Sequence, residues 1–395
     1  MIRRALLPAL LASLPALAQA PEADPAVARA VNLFGLDLYA RCATAEGNLV
    51  LSPYGIASAL AMVHAGAESE TAGEIRNALY LPVDPPAGVA HESLRRRLLA
   101  ASGREAELAI ANALWGQKDT SFQASFIGAL RDRFGAHLER VDFGGAPGAA
   151  ADAINGWVAE ATHERIRDLV AADMFSTSTR LVLTNAIYFR SAWARPFDAE
   201  ETREMPFHLG DGKSIPVPMM RQKGSFLHSA AEGLQLLEMR YEADKLSMVI
   251  LLHEGGPAAI EKQLSVERLE QWLKGGQRKE VEVFLPRFEV TLRFALADAL
   301  QALGIKLAFS KEADFSGMNA NRDLFLAAVA HKAFVAVDEK GTEAAAATAA
   351  LMELKGEPGP PVVFRADRPF LFLIRERTTG CILFLGRVLR PTGSD

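Results

Sequence analysis

The sequence predicts a single large α+β domain, and three observations support this fold class. Helix-forming patterns crowd the first half of the 395 residues, and strand-forming patterns crowd the second half. Half of the residues are hydrophobic, which is enough for a sizeable core. No long Gly/Ser-rich linker divides the chain, so one domain with segregated helices and sheets fits best.

Two helices have clear start signals. Asp24-Pro25 and Ser52-Pro53 each combine a capping side chain with proline at the first helical position. Apolar residues then recur on one helical face after each proline. Further helices are predicted at residues 92–100, 122–134, 154–161 and 295–303.

The strand predictions rest on two different patterns. Leu181 to Phe189 is almost continuously apolar, as in a strand that is covered on both faces. Val281, Val283 and Leu285 alternate with polar residues, which predicts a half-buried strand. Further strands are predicted at residues 324–337, 369–374 and 381–385, and a hairpin turn at residues 210–214.

Composition and charge argue against some classes of function. The formal net charge of −5 gives no electrostatic footprint for nucleic acid. No apolar run approaches the length of a membrane span, so we expect no membrane partner. Cys42 and Cys381 are too few for a disulfide framework, and two independent buried thiols are favoured over a pair.

Residues 1–20 are typical of a secretory signal peptide. Arg3 and Arg4 form a short basic start, Ala5 to Leu17 is apolar, and Ala18-Gln19-Ala20 is a small-x-small cleavage site. The apolar run is too short for a membrane anchor and contains prolines. The segment therefore predicts a secreted protein, extracellular or periplasmic, and its form suits a bacterial cell.

The sequence carries no legible enzyme site. The GxSxG elbow of many hydrolases and the HExxH zinc motif are both missing, and the eight histidines are scattered. None of them pairs with a cysteine at metal-binding spacing, so neither a metal nor another cofactor is predicted. Arg95-Arg96-Arg97 favours a solvated helix face, with a site for a sulfated polysaccharide as the weaker alternative.

Residues 339–361 are anomalous for their position. Their alanine-rich part would form a helix on propensity alone. It follows a strand-like run through Gly341, however, and ends in a Gly- and Pro-rich stretch that suits neither a helix nor a sheet interior. An inert surface helix or linker is the alternative. Loops of this length inside compact domains are usually functional, which favours a working loop.

The segment EKGTEAAAAT, Glu339 to Thr348, resembles the loop hinge of the serpins, and further blocks of the chain resemble serpins in family order. These blocks are residues 48–75 (NLVLSPYGIASALAMVHAGAESETAGEI), 154–158 (INGWV), 184–189 (TNAIYF), 331–334 (HKAF), 364–372 (FRADRPFLF) and 383–388 (LFLGRV). They extend across nearly the whole chain, so the resemblance is highly specific.

The resemblance implies a serpin-like domain over residues 21–395, with about nine helices, three β-sheets and an exposed reactive-centre loop at about 339–361. It implies an inhibitor and not an enzyme. A serine protease cleaves the loop and forms a covalent acyl-enzyme complex. The freed loop then inserts into the central sheet as a new strand and traps the protease. We also expect a monomer.

The hinge residues suit such an insertion. The predicted hinge consists of Glu339, Lys340, Gly341, Thr342, Glu343, Ala344, Ala345, Ala346, Ala347 and Thr348. A strand that enters a sheet buries every second side chain. The face to be buried consists of Thr342, Ala344, Ala346 and Thr348. All four are small and uncharged, whereas a buried unpaired charge would cost several kcal/mol. Gly341 is expected to act as a hinge with little steric restriction.

Family spacing places the cleaved bond between Lys355 and Gly356, because Lys355 is the seventeenth residue counted from Glu339. A lysine at this position suits a protease with an acidic primary pocket, so a trypsin-like target is predicted. A register shift by one residue would put Leu354 there and make the target chymotrypsin-like.

The resemblance also assigns a sheet-opening role to Ser52, Asn185 and His331, the polar group beneath the strands that must part. Asn185 is a polar residue inside an apolar strand, so a hydrogen-bond partner is expected. Gly55 departs from the family pattern, because many serpins have Ser there, and this puts part of the group in doubt.

Two residues are assigned to the region where the loop first enters the sheet. Trp193 resembles the aromatic residue of that region, and Arg287 resembles the basic partner of Glu339. The pair is expected to be exposed and worth at most about 1 kcal/mol. Ser191 is a second departure from the family, where Gly is commoner.

Two alternative functions remain open at this point. The first is a serpin-like fold that does not inhibit and acts as a carrier, chaperone or substrate. Such relatives often have bulky or charged hinge residues, whereas the face of this hinge that is to be buried has neither. The second is a secreted hydrolase, which would need a nucleophile, a base and an orienting group that are not legible here.

Overall fold

The computed structural model describes residues 25–44, 46–82, 87–102, 107–242, 244–342 and 362–391, which contain nine α-helices and fifteen β-strands. The helices are α1 (Pro25–Cys42), α2 (Pro53–His64), α3 (Ser69–Ala78), α4 (Ala87–Ser102), α5 (Ala124–Ala129), α6 (Pro147–Ala161), α7 (Pro257–Glu261), α8 (Val266–Lys274) and α9 (Ala297–Ala302). The strands are β1 (Leu49–Leu51), β2 (Glu107–Gln117), β3 (His137–Val141), β4 (Leu181–Ala192), β5 (Arg203–His208), β6 (Ser214–Ala231), β7 (Leu234–Arg240), β8 (Leu246–His253), β9 (Gln277–Pro286), β10 (Phe288–Ala295), β11 (Leu326–Val337), β12 (Gly341–Thr342), β13 (Val362–Arg365), β14 (Phe370–Glu376) and β15 (Ile382–Val388).

The predicted helices form, with corrections at their boundaries. Ser52 caps α2 as predicted, because its Oγ accepts a hydrogen bond from the Gly55 amide at 2.9 Å. The helix predicted at 92–100 is the middle of the longer α4. The helix predicted at 122–134 is divided: α5 is followed by a π-helical turn, Leu130–Phe134, which ends at Gly135 in the left-handed region with φ 60°.

The described strands form two hydrogen-bonded sheets, where we predicted three. One sheet has nine strands in the order β1-β15-β14-β8-β7-β6-β9-β13, with β5 paired to β6. The other has six strands in the order β10-β11-β12-β4-β2-β3. The difference comes from the 18 residues of β6. Its first part pairs with β5 and its last part with β7, so one continuous strand joins what would otherwise be two sheets.

Strand β4 is covered on both faces, as its continuous apolar run predicted. Leu183 and Ile187 face the main hydrophobic core. Val182 and Ala186 face a second, smaller core, which α6 completes with Ile154 and other residues. The six-stranded sheet therefore lies between two apolar layers, and Asn185 lies in its most buried part.

Smaller features of the sequence are also placed. The predicted hairpin turn at residues 210–214 forms one residue earlier, at residues 209–213 between β5 and β6, and Gly212 has the positive φ of 82° that such turns need. Cys42 and Cys381 are both free and buried. In the part of the chain that the structure describes, no helix is long and apolar enough to cross a membrane.

Candidate functional site

The two residues of β12 lie inside the six-stranded sheet. β4 and β11 pair in parallel as far as Tyr188 and Phe334. Beyond that point the two strands separate, and β12 lies between them, antiparallel to both. Thr342 is opposite Val337 on one side and Ser191 on the other. We call this gap between the ends of β4 and β11 the slot, and the paired part of the two strands the seam.

Four of the ten predicted hinge residues, Glu339 to Thr342, are described by the structure. The remaining hinge residues and the predicted cleavage position lie outside the described residues, namely Glu343, Ala344, Ala345, Ala346, Ala347, Thr348, Leu354, Lys355 and Gly356. The face predicted to be buried on insertion is therefore described only at Thr342. That residue has no exposed surface.

A tight turn directs the chain from β11 into the slot. The Asp338 side chain accepts hydrogen bonds from the amides of Lys340 at 2.8 Å and Gly341 at 3.1 Å. The Asp338 amide donates to the Gly341 carbonyl at 2.9 Å. Trp193, predicted at this position, holds the turn from the side of β4: its indole Nε1 donates to the Asp338 carbonyl at 3.1 Å and its amide donates to the Lys340 carbonyl at 2.9 Å.

Gly341 is required by close packing and not by a special backbone angle. A Cβ atom on this residue would lie 2.1 Å from the Ser191 carbonyl oxygen and 2.7 Å from the Ala192 Cα. Both neighbours are backbone atoms of β4, which cannot move aside cheaply. Its φ is not among the positive values of the described residues. The glycine therefore lets β12 approach β4. Its expected role as a hinge during insertion stays a prediction.

Thr342 contacts a buried tyrosine in the slot that no sequence pattern marked as a site residue. The hydroxyl groups of Tyr241 and Thr342 lie 2.7 Å apart, within hydrogen-bond distance. Tyr241 is fully buried, and its ring stacks on that of Trp193 with 4.7 Å between centroids and 8° between planes. The slot thus contains a polar contact that suits the hydroxyl of Thr342.

Glu339 pairs with Arg287 as predicted, but the carboxylate is not exposed. The Arg287 Nε donates to the two carboxylate oxygens at 2.7 and 2.8 Å, and Thr202 donates its hydroxyl to the same group. The side chain of Glu339 is 8% exposed and that of Arg287 is 43% exposed. Burial raises the pKa of Glu339, but the hydrogen bonds from Arg287 and Thr202 outweigh it and lower the pKa. The prediction of an exposed pair was therefore wrong for the acidic partner.

The three residues predicted to lie under the parting strands form one hydrogen-bonded network in the middle of the seam. His331 and Asn185 are directly opposite each other on β11 and β4. The His331 Nδ1 lies 2.7 Å from the Asn185 Oδ1, and the Ser52 amide donates to the His331 Nε2 at 3.2 Å. Asn185 Nδ2 donates to Asn112 on β2, and Asn112 donates to the Ser58 Oγ at 3.3 Å.

The direction of the hydrogen bonds fixes the protonation state of His331. The Ser52 amide is a donor, so Nε2 must be the acceptor and Nδ1 must carry the proton. Burial lowers the pKa of His331 to about 3, against a smaller opposing contribution from its bond to Asn185. The imidazole is therefore neutral at physiological pH, and a second proton would break its bond to Ser52.

Gly55 fits the network as it stands. A Cβ at this position would lie 2.8 Å from the Asn185 Oδ1 and 2.9 Å from the Ser52 Oγ. A serine here would displace one of these side chains. Asn112 and Ser58 extend the network on the other side of Asn185. Ser191, the second departure from the family, is 1% exposed and lies opposite Thr342, where its side chain is accommodated.

Three residues of the site were missed from the sequence: Tyr241, Asn112 and Ser58. Asn112 lies in the largely apolar run of β2. Its position opposite Asn185 is the signal of its role, and only the strand pairing reveals it. Tyr241 follows β7 and is joined to the residue after β4 by an isolated bridge to Trp193. No local pattern marks it.

The arrangement defines a class of protein whose central sheet is already parted at one end and holds the beginning of its own loop there. Such a sheet can accept more of the same loop as a strand. A match to the model of the family described as serpin (serine protease inhibitor) covers residues 29–391. The chain therefore belongs to the serpin family, a family of protease inhibitors, and its fold is the serpin fold.

Individual relatives agree with this assignment. The chain is 40% identical to an uncharacterized serpin-like protein of Thermococcus kodakarensis, over 92% of this chain and 86% of the relative. It is also 40% identical to the leukocyte elastase inhibitor of Bos taurus, over 87% of this chain and 93% of the relative.

Solved structures agree as well. Serpin48 of the insect Tenebrio molitor superposes with a TM-score of 0.83 at 31% identity, covering 93% of this chain and 99% of that one. Human thyroxine-binding globulin in complex with its ligand superposes with a TM-score of 0.84 at 30% identity, covering 93% and 98%. The described residues contain no group of three or more side chains that could hold a metal ion.

Proposed function

We propose that this chain is a monomeric suicide-substrate inhibitor of a serine protease, and that its cleaved loop becomes a strand between β4 and β11. One observation carries the proposal: Gly341 and Thr342 already lie between the ends of these strands, hydrogen-bonded in register with both. The loop residues that follow would continue in the same direction along the seam.

The sequence of the hinge supports insertion over an inert loop. Thr342 is fully buried and within hydrogen-bond distance of another hydroxyl, and we expect the rest of the inserted face to be buried in the same way. Ala344, Ala346 and Thr348 are the next residues of that face, and each is small and uncharged. If each inserted residue gains about 1 kcal/mol of net hydrogen bonding, a complete strand gains on the order of 10 kcal/mol. The intact protein is then kinetically trapped.

The proposed reaction begins as ordinary proteolysis. The protease serine attacks the Lys355 carbonyl carbon, the bond to the Gly356 nitrogen breaks, and Gly356 leaves as a free amine. Lys355 remains attached to the protease as an ester. Insertion then carries the ester and the protease along the sheet before water can hydrolyse the bond.

Lys355 points to a trypsin-like target, and Leu354 keeps a chymotrypsin-like target open through a shift of one residue. The names of several relatives refer to a leukocyte elastase. Elastases have a small primary pocket, which suits neither residue. A target with an acidic pocket therefore remains our proposal for this chain.

A non-inhibitory role is the second candidate, and the human thyroxine-binding globulin gives it a basis. That protein has the same fold and was solved with thyroxine bound. The hinge discriminates between the two functions. A carrier does not need small residues along the inserting face, whereas an inhibitor does, and the burial of Thr342 favours the inhibitor.

The decisive experiment mixes the protein with trypsin and separates the products on a denaturing gel. We expect a band near the summed masses that resists SDS, together with a new amino terminus at Gly356. Clean cleavage without such a band would overturn the inhibitor proposal. A Lys355→Leu variant is the matched control, and it should lose complex formation with trypsin and gain it with chymotrypsin. A new terminus other than Gly356 would rule out Lys355 as the cleavage position.

We further propose that the protein is exported, on the basis of residues 1–20. Expression of the full chain in a bacterial host with fractionation of cytoplasm, periplasm and medium tests this. We expect a periplasmic or extracellular product that begins near residue 21. A cytoplasmic product that retains Met1 would contradict export without affecting the inhibitor proposal.

A further inference from the structure

We propose that Tyr241 is a positioning residue for the loop: its hydroxyl recognises the hydroxyl of Thr342 and holds the first inserted residue in the slot before cleavage. The contact joins two fully buried side chains at 2.7 Å. The effect on inhibition rests on the proposed function, whereas the docking of the hinge does not.

The position of the Tyr241 hydroxyl is set independently of the hinge. The backbone around Tyr241 is tied to the end of β4, where the Glu242 amide donates to the Ala192 carbonyl and the Ala194 amide donates to the Arg240 carbonyl, both at 2.9 Å. The ring is held between neighbours, stacked on Trp193 and edge-on to Phe189 with 5.0 Å between centroids. The hydroxyl therefore stays in the slot when the hinge moves.

Because the Tyr241 hydroxyl is fixed in position, its contact with Thr342 favours the docked state of the hinge. Among the described residues, the Tyr241 hydroxyl has Thr342 as its hydrogen-bond partner and no other. If the hinge withdrew, the Tyr241 hydroxyl would lose this hydrogen-bond partner, which is unfavourable. Withdrawal is therefore opposed, and the hinge remains docked in the intact protein.

A docked hinge affects the outcome of cleavage. Insertion has to compete with hydrolysis of the ester that joins Lys355 to the protease. A loop whose first residues are already in the slot extends an existing strand, whereas a withdrawn loop must first find the opening. Tyr241 thus favours trapping over release, and it makes a hydroxyl at residue 342 preferable to a methyl group of the same shape.

The test is a double-mutant cycle with Tyr241→Phe, Thr342→Val and the two combined. Each single change removes one hydroxyl and keeps the shape of the side chain. Hydrogen exchange of the amides of residues 338–342 in the intact protein reports docking directly. We expect each single variant to exchange about tenfold faster, corresponding to ~1.4 kcal/mol, and the double variant to be no faster than the singles.

Tyr39→Phe is the matched control. It also removes a buried phenol hydroxyl, which donates to Glu261 at 2.8 Å, but Tyr39 lies on α1 away from the slot. Exchange of residues 338–342 should be unchanged in this variant. If Tyr241→Phe does not fold, Thr342→Val alone gives the same exchange measurement without altering the core ring.

A second measurement uses trypsin. The number of inhibitor molecules consumed per trapped protease should rise several-fold in either single variant and no further in the double variant. Unchanged exchange in Tyr241→Phe, or effects that multiply in the double variant, would overturn the role of Tyr241. If the unaltered protein forms no complex with trypsin, the proposed function fails, and the exchange measurement still decides whether Tyr241 docks the hinge.

Discussion

The slot and the middle of the seam lie on the same pair of strands, β4 and β11, but the two regions differ in whether the strands are paired. At the slot, β4 and β11 are apart and Gly341 and Thr342 fill the gap. In the middle of the seam, His331 and Asn185 are opposite each other and joined by a buried hydrogen bond. The strands β4 and β11 are therefore already apart at one end of the sheet and still paired in its middle. Opening must proceed from the slot toward the network.

This difference between slot and seam also indicates where the barrier to loop insertion lies. Each residue that enters gains backbone hydrogen bonds on both sides, but the strands must first give up the bonds that they share. The network of Ser52, His331 and Asn185 adds side-chain bonds at one point of the seam. Under the proposed mechanism, this barrier keeps the intact form kinetically trapped relative to an inserted form of lower free energy.

The largest expected effect is at the slot, where Thr342→Arg should prevent insertion. A guanidinium in this fully buried position would cost several kcal/mol of desolvation, because Thr342 is opposite Val337 and Ser191 and contacts Tyr241, none of which carries a charge to pair with it. The variant should be cleaved by trypsin as a substrate and form no SDS-resistant complex. Lys340→Arg, a change at the exposed residue of the same turn, is the control and should inhibit normally. Undiminished complex formation by Thr342→Arg would falsify the insertion argument.

The next effect tests the close packing of the slot. Gly341→Ala places a Cβ against the Ser191 carbonyl oxygen, at 2.1 Å before any adjustment. We expect the hinge to leave the slot and the free energy of unfolding to fall by about 1–3 kcal/mol, measured by urea titration. Gly156→Ala in α6 is the control, because nothing lies within 4 Å of its Cβ position. An equally stable Gly341→Ala protein would mean that the slot can widen freely.

A smaller effect concerns the middle of the seam and depends on pH. His331 is neutral in the fold because its pKa is lowered to about 3, whereas the unfolded chain binds a proton near pH 6.5. The unfolded state therefore binds more protons below pH 6.5, so stability falls as the pH drops from 6.5 toward 3. Between pH 8 and pH 5 the loss from this residue is about 2 kcal/mol.

The measurement compares urea unfolding of the unaltered protein and His331→Gln at both pH values. The variant should lose about 2 kcal/mol less on acidification. His91 is a useful reference, because burial lowers its pKa to about 4 as well, yet it lies on α4 outside the seam. Its contribution should remain in both proteins. Identical pH dependence of the two proteins would show that His331 does not titrate as described.

The smallest effect is expected at the rim of the slot. Arg287→Ala removes the half-exposed partner of Glu339, and Thr202 still donates to the carboxylate. We expect a loss of about 1 kcal/mol at neutral pH. The loss should disappear in acid, because the lowered pKa of Glu339 means that the pair stabilises the fold only while the carboxylate is ionised. Lys274→Ala, which breaks an exposed pair with Glu270 on α8, should have almost no effect. Equal losses of unfolding free energy in the two variants would show that the pair at the rim of the slot is worth no more than an ordinary surface pair.

The sequence predicted those parts of the molecule that depend on neighbours along the chain. The Ser52 cap, the hairpin turn between β5 and β6 to within one residue, and the strand covered on both faces were all correct, because each has a local pattern. The family resemblance also identified Glu339, Arg287 and the residues of the seam, which the structure brings together.

The parts that were missed depend on contacts between distant segments. Tyr241 enters the slot only because the end of β7 crosses to the end of β4. Asn112 joins the network through the pairing of β2 with β4. Two sheets form in place of three because β6 continues without a break over 18 residues. The local sequence pattern does not show that one strand joins the two sheets. The close packing of Gly341 against the backbone of β4 likewise depends on a distance between strands, which the sequence does not contain.

The central claim is that the cleaved loop passes between β4 and β11, and a reversible lock across the seam tests it most directly. Ala186 and Lys332 are opposite each other on these strands. Ala186 belongs to the second core, and Lys332 alternates along β11 with Ala330 and Phe334 of that core. Neighbouring strands bring paired Cα atoms within disulfide range. We expect the oxidised Ala186→Cys/Lys332→Cys variant to be cleaved by trypsin without a trapped complex, and the reduced variant to form the complex again. Equal complex formation in the oxidised and reduced states would contradict insertion between these strands.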